Sequence, residues 1–107
     1  MYIKLYQYHI RPENEQELMV IQRKAGQIYR NYIDVQTKML KNIKDETKWT
    51  EISFFESEED YQNKLPLINS DPNIRELYKK FESLLISDIR EEEYEDAFKI
   101  IRNDFSS

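Results

Sequence analysis

The opening of the chain alternates between two sets of large side chains. Ile3 and Leu5 fall on one side of an extended segment, whereas Tyr6 and Tyr8 fall on the other. This period of two predicts a β-strand over residues 1–10. Both sides carry large apolar groups, which a sheet with one wet face does not show, so we expect each face of the sheet to be covered.

A helical period then replaces the alternation. Apolar residues recur every three or four positions over residues 13–32, which predicts a helix. Gly26, the single glycine of the chain, lies inside this helix, where a glycine costs about 1 kcal/mol relative to alanine. We expect this glycine to allow close packing of the helix on the sheet.

Two more alternating segments follow the helix. Residues 34–42 predict one strand and residues 49–55 another, with a polar turn between them. Rings occur on both faces of the later strand, with Phe54 on one face and Trp49 and Phe55 on the other. This strand therefore repeats the pattern of the first one.

The second half of the chain contains two signals for the start of a helix. Ser57, followed three residues later by Asp60, matches a capping box, and we expect a short helix that ends before Pro66. Asp71 followed by Pro72 predicts the beginning of another helix with a clear apolar stripe. The two helices form a pair.

The end of the chain is less clearly patterned. A weaker fourth strand is predicted over residues 85–91, and a C-terminal helix over residues 93–105. The acidic run at 91–96 is interpreted as a solvated surface. With 107 residues the chain forms one domain, with a core over residues 1–92 and a helical tail over residues 93–107.

The order of the elements predicts the fold. Strand, helix, strand, strand, helical pair and strand give the βαββαβ order of a ferredoxin-like α+β fold with an antiparallel sheet. Right-handed crossovers place the helices on one face. The other face is then bare, and we assign to it the large apolar residues Tyr6, Tyr8, Trp49 and Phe55. Since such a patch marks an interface, we predict a homodimer with the two sheets packed face to face.

Composition narrows the classes of function. Charged residues make up 35% of the chain and the net charge is −5, which argues against nucleic-acid binding because phosphates need clustered Lys and Arg. The absence of cysteine excludes disulfides, thiolate metal sites and cysteine nucleophiles. No apolar run is long enough to span a membrane, and no signal-peptide pattern is present. We therefore expect a cytoplasmic protein without a membrane partner.

Three stretches together carry a resemblance to a known family. They are the strand at 2–10, the Arg-Pro-Glu of residues 11–13 that leads into the helix, and residues 48–61, where a strand ending in Phe55 runs into a helix start of the form S-x-E-x-Y. Over residues 1–92 the chain resembles the dimeric α+β barrel superfamily, and within it the antibiotic-biosynthesis-monooxygenase-like (ABM-like) proteins. The resemblance implies a dimeric α+β barrel.

Some members of that superfamily oxidise an aromatic substrate without a cofactor, which requires an apolar pocket with a few polar groups. His9 and Glu51 are the candidate catalytic residues. The candidate pocket-lining residues are Tyr6, Tyr8, Trp49, Phe55 and Tyr61. Alternatively, the rings pack in the core and the dimer interface, and His9 is a surface histidine at a strand end. One histidine cannot build a multi-histidine metal site, so we expect no metal and no cofactor, with a small aromatic compound as ligand.

Heme chemistry is a further alternative. The heme-degrading members use an axial histidine in the second helical region, an asparagine on the first strand and a tryptophan at the end of the third. Residues 57–85 contain no histidine, Gln7 replaces the asparagine, and Phe55 replaces the tryptophan. Degradation of heme by that mechanism is therefore not expected. Two alternatives to an enzyme stay open: a non-catalytic dimeric stress or regulatory module, and a heme-binding protein without the usual axial histidine.

Overall fold

A computed structural model, which describes residues 1–97, contains four β-strands and three α-helices in the predicted order. A short 3-10 turn precedes the first α-helix. Among the described residues, no helix is both long and apolar enough to cross a bilayer. The elements are β1 (Tyr2–His9), α1 (Glu15–Arg30), β2 (Val35–Lys41), β3 (Lys48–Phe55), α2 (Glu58–Asn69), α3 (Pro72–Leu84) and β4 (Arg90–Glu95).

The four strands form one antiparallel sheet in the order β2-β3-β1-β4. This arrangement confirms the predicted ferredoxin-like α+β fold. The central strand β1 pairs on both sides, so that Tyr6 stands opposite Glu51 of β3 and Glu91 of β4. These three residues therefore lie in one row across the sheet and on the same face.

Local capping signals begin both helices of the pair, as predicted. The Ser57 hydroxyl accepts a hydrogen bond from the Asp60 backbone N–H at 3.0 Å, and the Asp71 carboxylate accepts one from the Asn73 N–H at 2.8 Å. Each bond satisfies a donor that the first helical turn would leave unpaired. The helices cover one face of the sheet, where Tyr8 packs edge-on against Phe81 of α3 with 4.9 Å between ring centroids.

The assignment of the two sheet faces differs from the expectation. The face carrying Tyr6, Tyr8 and Phe55 is the one covered by the helices, and Trp49 is buried in the same core. By the alternation of strand side chains, the open face carries Ile3, Leu5, Ile52 and Phe54, all of them half-buried. The expectation that the rings lie on the bare face is wrong, because both faces are apolar and only helix packing distinguishes them.

The helix that follows Ser57 is longer than predicted. It passes through Pro66 and continues to Asn69, where the Ser70 N–H donates to the Pro66 carbonyl at 3.1 Å. Proline removes the bond to the carbonyl of Gln62. Both Gln62 and Pro66 are exposed, so water can hydrogen-bond to that carbonyl, and the expected break at Pro66 is wrong.

The fourth strand lies further along the chain than predicted. It spans Arg90–Glu95, while Leu85 forms only an isolated bridge with Ile10. The sheet thus extends beyond residue 92, and residues 93–95 belong to β4 and not to a helix. Residues 98–105 of the predicted C-terminal helix, and the end of the tail to residue 107, lie outside the described residues and stay a prediction.

Candidate functional site

A cavity of about 700 Å³ lies between the sheet and the helices. Its volume falls within the range of about 300–1,000 Å³ that is usual for small-molecule sites. Side chains from the sheet and from all three helices reach it: the inward positions of the strands, one side each of α1 and α3, and Tyr61 of α2. Seven aromatic rings line it: Tyr6, Tyr8, Tyr29, Phe55, Tyr61, Tyr78 and Phe81.

Glu51 is the carboxyl group on the β3 wall of this cavity. The Tyr8 hydroxyl donates to its Oε2 at 3.1 Å, and the Gln22 side-chain N–H donates to the same oxygen at 3.2 Å. No described residue donates a hydrogen bond to Oε1 of Glu51. Every buried side-chain oxygen of the described residues has a hydrogen-bond partner, so an oxygen without a partner is not buried. Oε1 therefore keeps accessible surface on the cavity side, where it can meet a ligand.

Burial raises the pKa of Glu51 from its ordinary value of 4.5 to about 7, although the hydrogen bond from Tyr8 acts in the opposite direction. The cause is desolvation, since an apolar ring-lined wall disfavours the charged carboxylate. A carboxyl group with a pKa near 7 exchanges its proton readily at neutral pH, which is the property of an efficient general base. Glu51 is therefore equipped to remove a proton from a bound ligand.

The tyrosines around Glu51 stay protonated. Burial raises the pKa of Tyr6 and of Tyr8 well above the ordinary value of 10, and raises that of Tyr29 to about 12, with nearby negative groups adding to each effect. Their hydroxyls therefore act as hydrogen-bond donors over the whole range in which Glu51 titrates. One titrating carboxyl group thus faces a wall of neutral phenols.

An ion pair with one buried partner lies on the β4 side of the cavity. Lys4, a buried residue, pairs with Glu91, a cavity-lining residue whose side chain is 50% exposed. The Lys4 ammonium also sits 5.5 Å from the ring centroid of Tyr6 and 5.4 Å from that of Tyr61. Burial acts to lower the pKa of Lys4, but the hydrogen bond to Glu91 and the nearby negative groups outweigh it and raise the pKa. Lys4 therefore stays charged, and the pair keeps this wall polar.

The structure brings together most, but not all, of the residues that the sequence singles out. Glu51, Tyr6, Tyr8, Phe55 and Tyr61 all line the cavity.

Trp49 and His9 do not line it. Trp49 lies on the same side of β3 as Glu51, the side that the helices cover. It is nevertheless buried in the core cluster that contains Leu18 of α1. His9 has the opposite phase from Tyr8 and lies on the other side of β1, where its Nδ1 is 2.8 Å from Thr47 Oγ1 and 3.7 Å from Asp45 Oδ2. The expectation that His9 shares a site with Glu51 is therefore wrong in its geometry.

Several site residues were not singled out from the sequence. Gln22 and Tyr29 of α1 flank the apolar stripe of that helix and are seven residues apart, which places them on one side. Lys4 has the inward phase in β1, and a charged residue at an inward position is a signal for a buried polar contact. Glu91 belongs to the acidic run that the sequence predicts to be a solvated surface, and its side chain is indeed 50% exposed. Its contact with Lys4 is distant in sequence and has no local signal.

Among residues 1–97, no group of three His, Cys, Asp or Glu side chains is placed to hold a metal ion. The single histidine of the chain faces away from the cavity, so no imidazole is available there as a ligand.

Solved structures share this arrangement of sheet, helices and chain order. SnoaB, a cofactor-independent oxygenase from Streptomyces nogalater, has a TM-score of 0.73 over 94% of this chain and 97% of its own, at 6% identity. An antibiotic biosynthesis monooxygenase has a TM-score of 0.70 over 91% of this chain and 99% of its own, at 13% identity. The chain has the fold of the antibiotic biosynthesis monooxygenases. The resemblance predicted from the sequence is confirmed for the fold.

This monooxygenase fold is also found in a NIPSNAP domain protein from Burkholderia xenovorans, with a TM-score of 0.75 over 95% of this chain and 100% of that one, at 12% identity. No family model and no curated protein matches the sequence. At identities this low, the likeness establishes the shape of the molecule and leaves the reaction to the residues of the cavity.

Proposed function

We propose that the cavity binds a small aromatic compound with an ionisable hydroxyl and promotes its oxidation by molecular oxygen without a cofactor, with Glu51 as the general base. The observation that carries the proposal is the position of Glu51, a carboxyl group with a pKa near 7 on the wall of a ring-lined cavity. Two hydrogen bonds orient it through Oε2 and leave Oε1 for the ligand.

The chemistry needs only a base and a dry, shaped pocket. Transfer of the phenolic proton to Glu51 leaves an electron-rich phenolate whose para carbon forms a bond with oxygen. Loss of the hydrogen from that carbon and cleavage of the O–O bond then release water. The balance is one phenol plus one O₂ giving one quinone plus one H₂O. All four electrons taken up by oxygen come from the ring.

The fold lends support to this class of reaction, because one solved structure with the same fold is named a cofactor-independent oxygenase. The rings of the cavity suit an aromatic ligand, since stacked and edge-to-face contacts between rings are favourable. A cavity also meets the condition that distinguishes a binding protein from a purely structural module with a filled interior.

We also propose that the chain forms a homodimer through the open face of the sheet. Supporting this, Ile3 and Phe54 are paired across β1 and β3, as are Leu5 and Ile52, and the exposed ring of Tyr94 pairs with Ile3 on the β4 side. These apolar side chains form a contiguous patch that a second sheet would shield from water.

The test of catalysis is oxygen consumption with 1-naphthol, whose para position is free and whose product would be 1,4-naphthoquinone. We expect Glu51→Gln to lower kcat by about 10²–10⁴-fold, the usual contribution of a general base. The affinity for 1-naphthol should change little, because the amide has the shape of the acid. Glu46→Gln, which removes an exposed carboxylate from the turn before β3, is the matched control. An unchanged rate in Glu51→Gln, or no turnover above buffer by the unsubstituted chain, would contradict the proposal.

A further inference from the structure

Two arginines of α1 lie at the edge of the cavity. Arg23 and Arg30 both line it, and both are exposed to solvent. They are seven residues apart, which is close to two helical turns, so they project from the same side of the helix about 10 Å apart along its axis. Tyr78 of α3, 54% exposed, lines the same cavity. These three residues define what we call the cavity mouth.

Within the described residues, the two guanidinium groups at the mouth have no acidic partner. Among residues 1–97, no carboxylate lies within 4.0 Å of either arginine, although other cations of the chain do form ion pairs. Asp34 and Asp60 share a neighbouring surface cleft with Arg30 but stay beyond that distance. In a chain with a net charge of −5, the mouth is thus a local region of positive charge that attracts anions.

Gly26, between the two arginines in sequence, lies against the side chain of Arg30. A Cβ added at this position would lie 3.2 Å from Nη1 of Arg30, and its three nearest heavy atoms would all belong to Arg30. The expectation that this glycine serves close packing on the sheet is therefore wrong. The Arg30 guanidinium instead lies back along the helix over this glycine. An interior glycine costs about 1 kcal/mol relative to alanine, so the chain loses some helix stability in this arrangement.

We propose that the ligand of the cavity is an aromatic compound carrying an anionic group, a carboxylate, sulfonate or phosphate, which binds to Arg23 and Arg30 at the mouth while the ring enters towards Glu51. The claim that this compound is a substrate rests on the proposed function, whereas the claim that it binds does not. Guanidinium groups match the oxygens of such anions with paired N–H donors. Glu51 on the β3 wall is negatively charged when ionised and then repels a second anion beside it, so the orientation with the anionic group at the arginines and the ring towards Glu51 is favoured.

Two fluorescent probes that share a ring system but differ in charge test this inference. 8-Anilinonaphthalene-1-sulfonate carries a sulfonate, and N-phenyl-1-naphthylamine is its neutral counterpart. Both are titrated into the unsubstituted chain, into the double variant Arg23→Gln/Arg30→Gln and into Arg75→Gln/Lys79→Gln. The last variant removes the same charge from exposed positions of α3 outside the cavity lining. Circular dichroism checks that each variant is folded.

We expect the double variant at the mouth to weaken binding of the sulfonate by about tenfold or more, as befits loss of hydrogen bonds to a charged group. Binding of the neutral probe should be unchanged, and the α3 control should change neither. Added salt should weaken binding of the sulfonate only. An unchanged affinity for the sulfonate would overturn the inference. An equal loss for both probes would also overturn it, because the arginines would then act on the rings or on the cavity shape.

This result is separable from the test of catalysis. If the arginines govern sulfonate binding and no phenol is oxidised, the proposed function fails and the anion site stands. If 1-naphthol is oxidised in a Glu51-dependent way while the arginines leave sulfonate binding unchanged, the anion site alone is refuted.

Discussion

Replacing Glu51 by glutamine should change the way in which the stability of the folded chain depends on pH. In the folded state burial raises the pKa of Glu51 to about 7, against an ordinary value of 4.5. Glutamine has nearly the same shape and cannot ionise. The difference in unfolding free energy between the unsubstituted chain and Glu51→Gln therefore isolates the cost of ionising this one buried group.

The size and sign of the effect follow from proton linkage. Between about pH 4.5 and about pH 7 the folded chain keeps a proton on Glu51 that the unfolded chain has released, so stability falls as the pH rises. The two pKa values differ by about 2.5 pH units, and each unit is worth about 1.36 kcal/mol. The unsubstituted chain should thus lose about 3 kcal/mol relative to Glu51→Gln between about pH 4.5 and about pH 8.

Urea unfolding at a series of pH values measures this difference. Trp49, the single tryptophan and 5% exposed, reports the transition by its fluorescence. Subtracting the two unfolding free energies at each pH removes the contribution of every other ionisable group that the substitution leaves untouched. Glu46→Gln serves as the control for removing one exposed carboxylate. A difference that stays flat with pH, or one in which the unsubstituted chain gains stability as pH rises, would refute the reasoning.

Two further predictions concern the open face and the helix caps. Phe54→Lys should convert the proposed dimer into a monomer in light scattering coupled to size exclusion, because the charge falls within the apolar patch beside Ile3. Gln27→Lys on the exposed side of α1 should not have this effect, and a monomeric unsubstituted chain would contradict the prediction. Ser57→Ala should lower the unfolding free energy by about 1 kcal/mol through loss of the hydrogen bond to the Asp60 N–H, whereas Ser57→Asp should retain stability; equal losses in both would show that the cap does not matter.

Features set by neighbouring residues were predictable from the sequence. Asp71 and Pro72 begin α3 as expected, because an N-cap side chain followed by proline at the first helical position is a local signal. The alternation of β1 and β3 likewise predicts two strands with large apolar groups on both faces. The order of elements then leads to the ferredoxin-like fold, since few topologies satisfy the right-handed crossover rule.

Features set by contacts distant in sequence were not predictable. Strand β4 has the sequence Arg-Glu-Glu-Glu-Tyr-Glu and shows no apolar alternation. It is an edge strand whose inward positions 91 and 93 contact Lys4 and the Tyr2 hydroxyl on β1, and no pattern within β4 reveals these partners. The apolar stretch before it resembles a strand more closely, which explains the misplaced prediction.

In the candidate site, too, local features were predictable from the sequence and features set by distant contacts were not. Glu51 was recognisable as a carboxyl group among rings on a strand, but its pKa depends on burial by helices that the sequence does not position. His9 could have been excluded by strand phase alone, since it has the opposite phase from Tyr6 and Tyr8. Trp49 has the same phase as Glu51, so only the position of α1 distinguishes a core residue from a cavity wall.

A nuclear magnetic resonance titration of the Glu51 side-chain carboxyl carbon, with Glu51→Gln to assign the signal, shows directly whether this group can act as the base. We expect a midpoint of about pH 7, and a change in this resonance when 1-naphthol is added under nitrogen, because the phenol would lie beside the open Oε1. A midpoint near the ordinary value of 4.5, with no response to 1-naphthol, would rule out Glu51 as the base of this cavity.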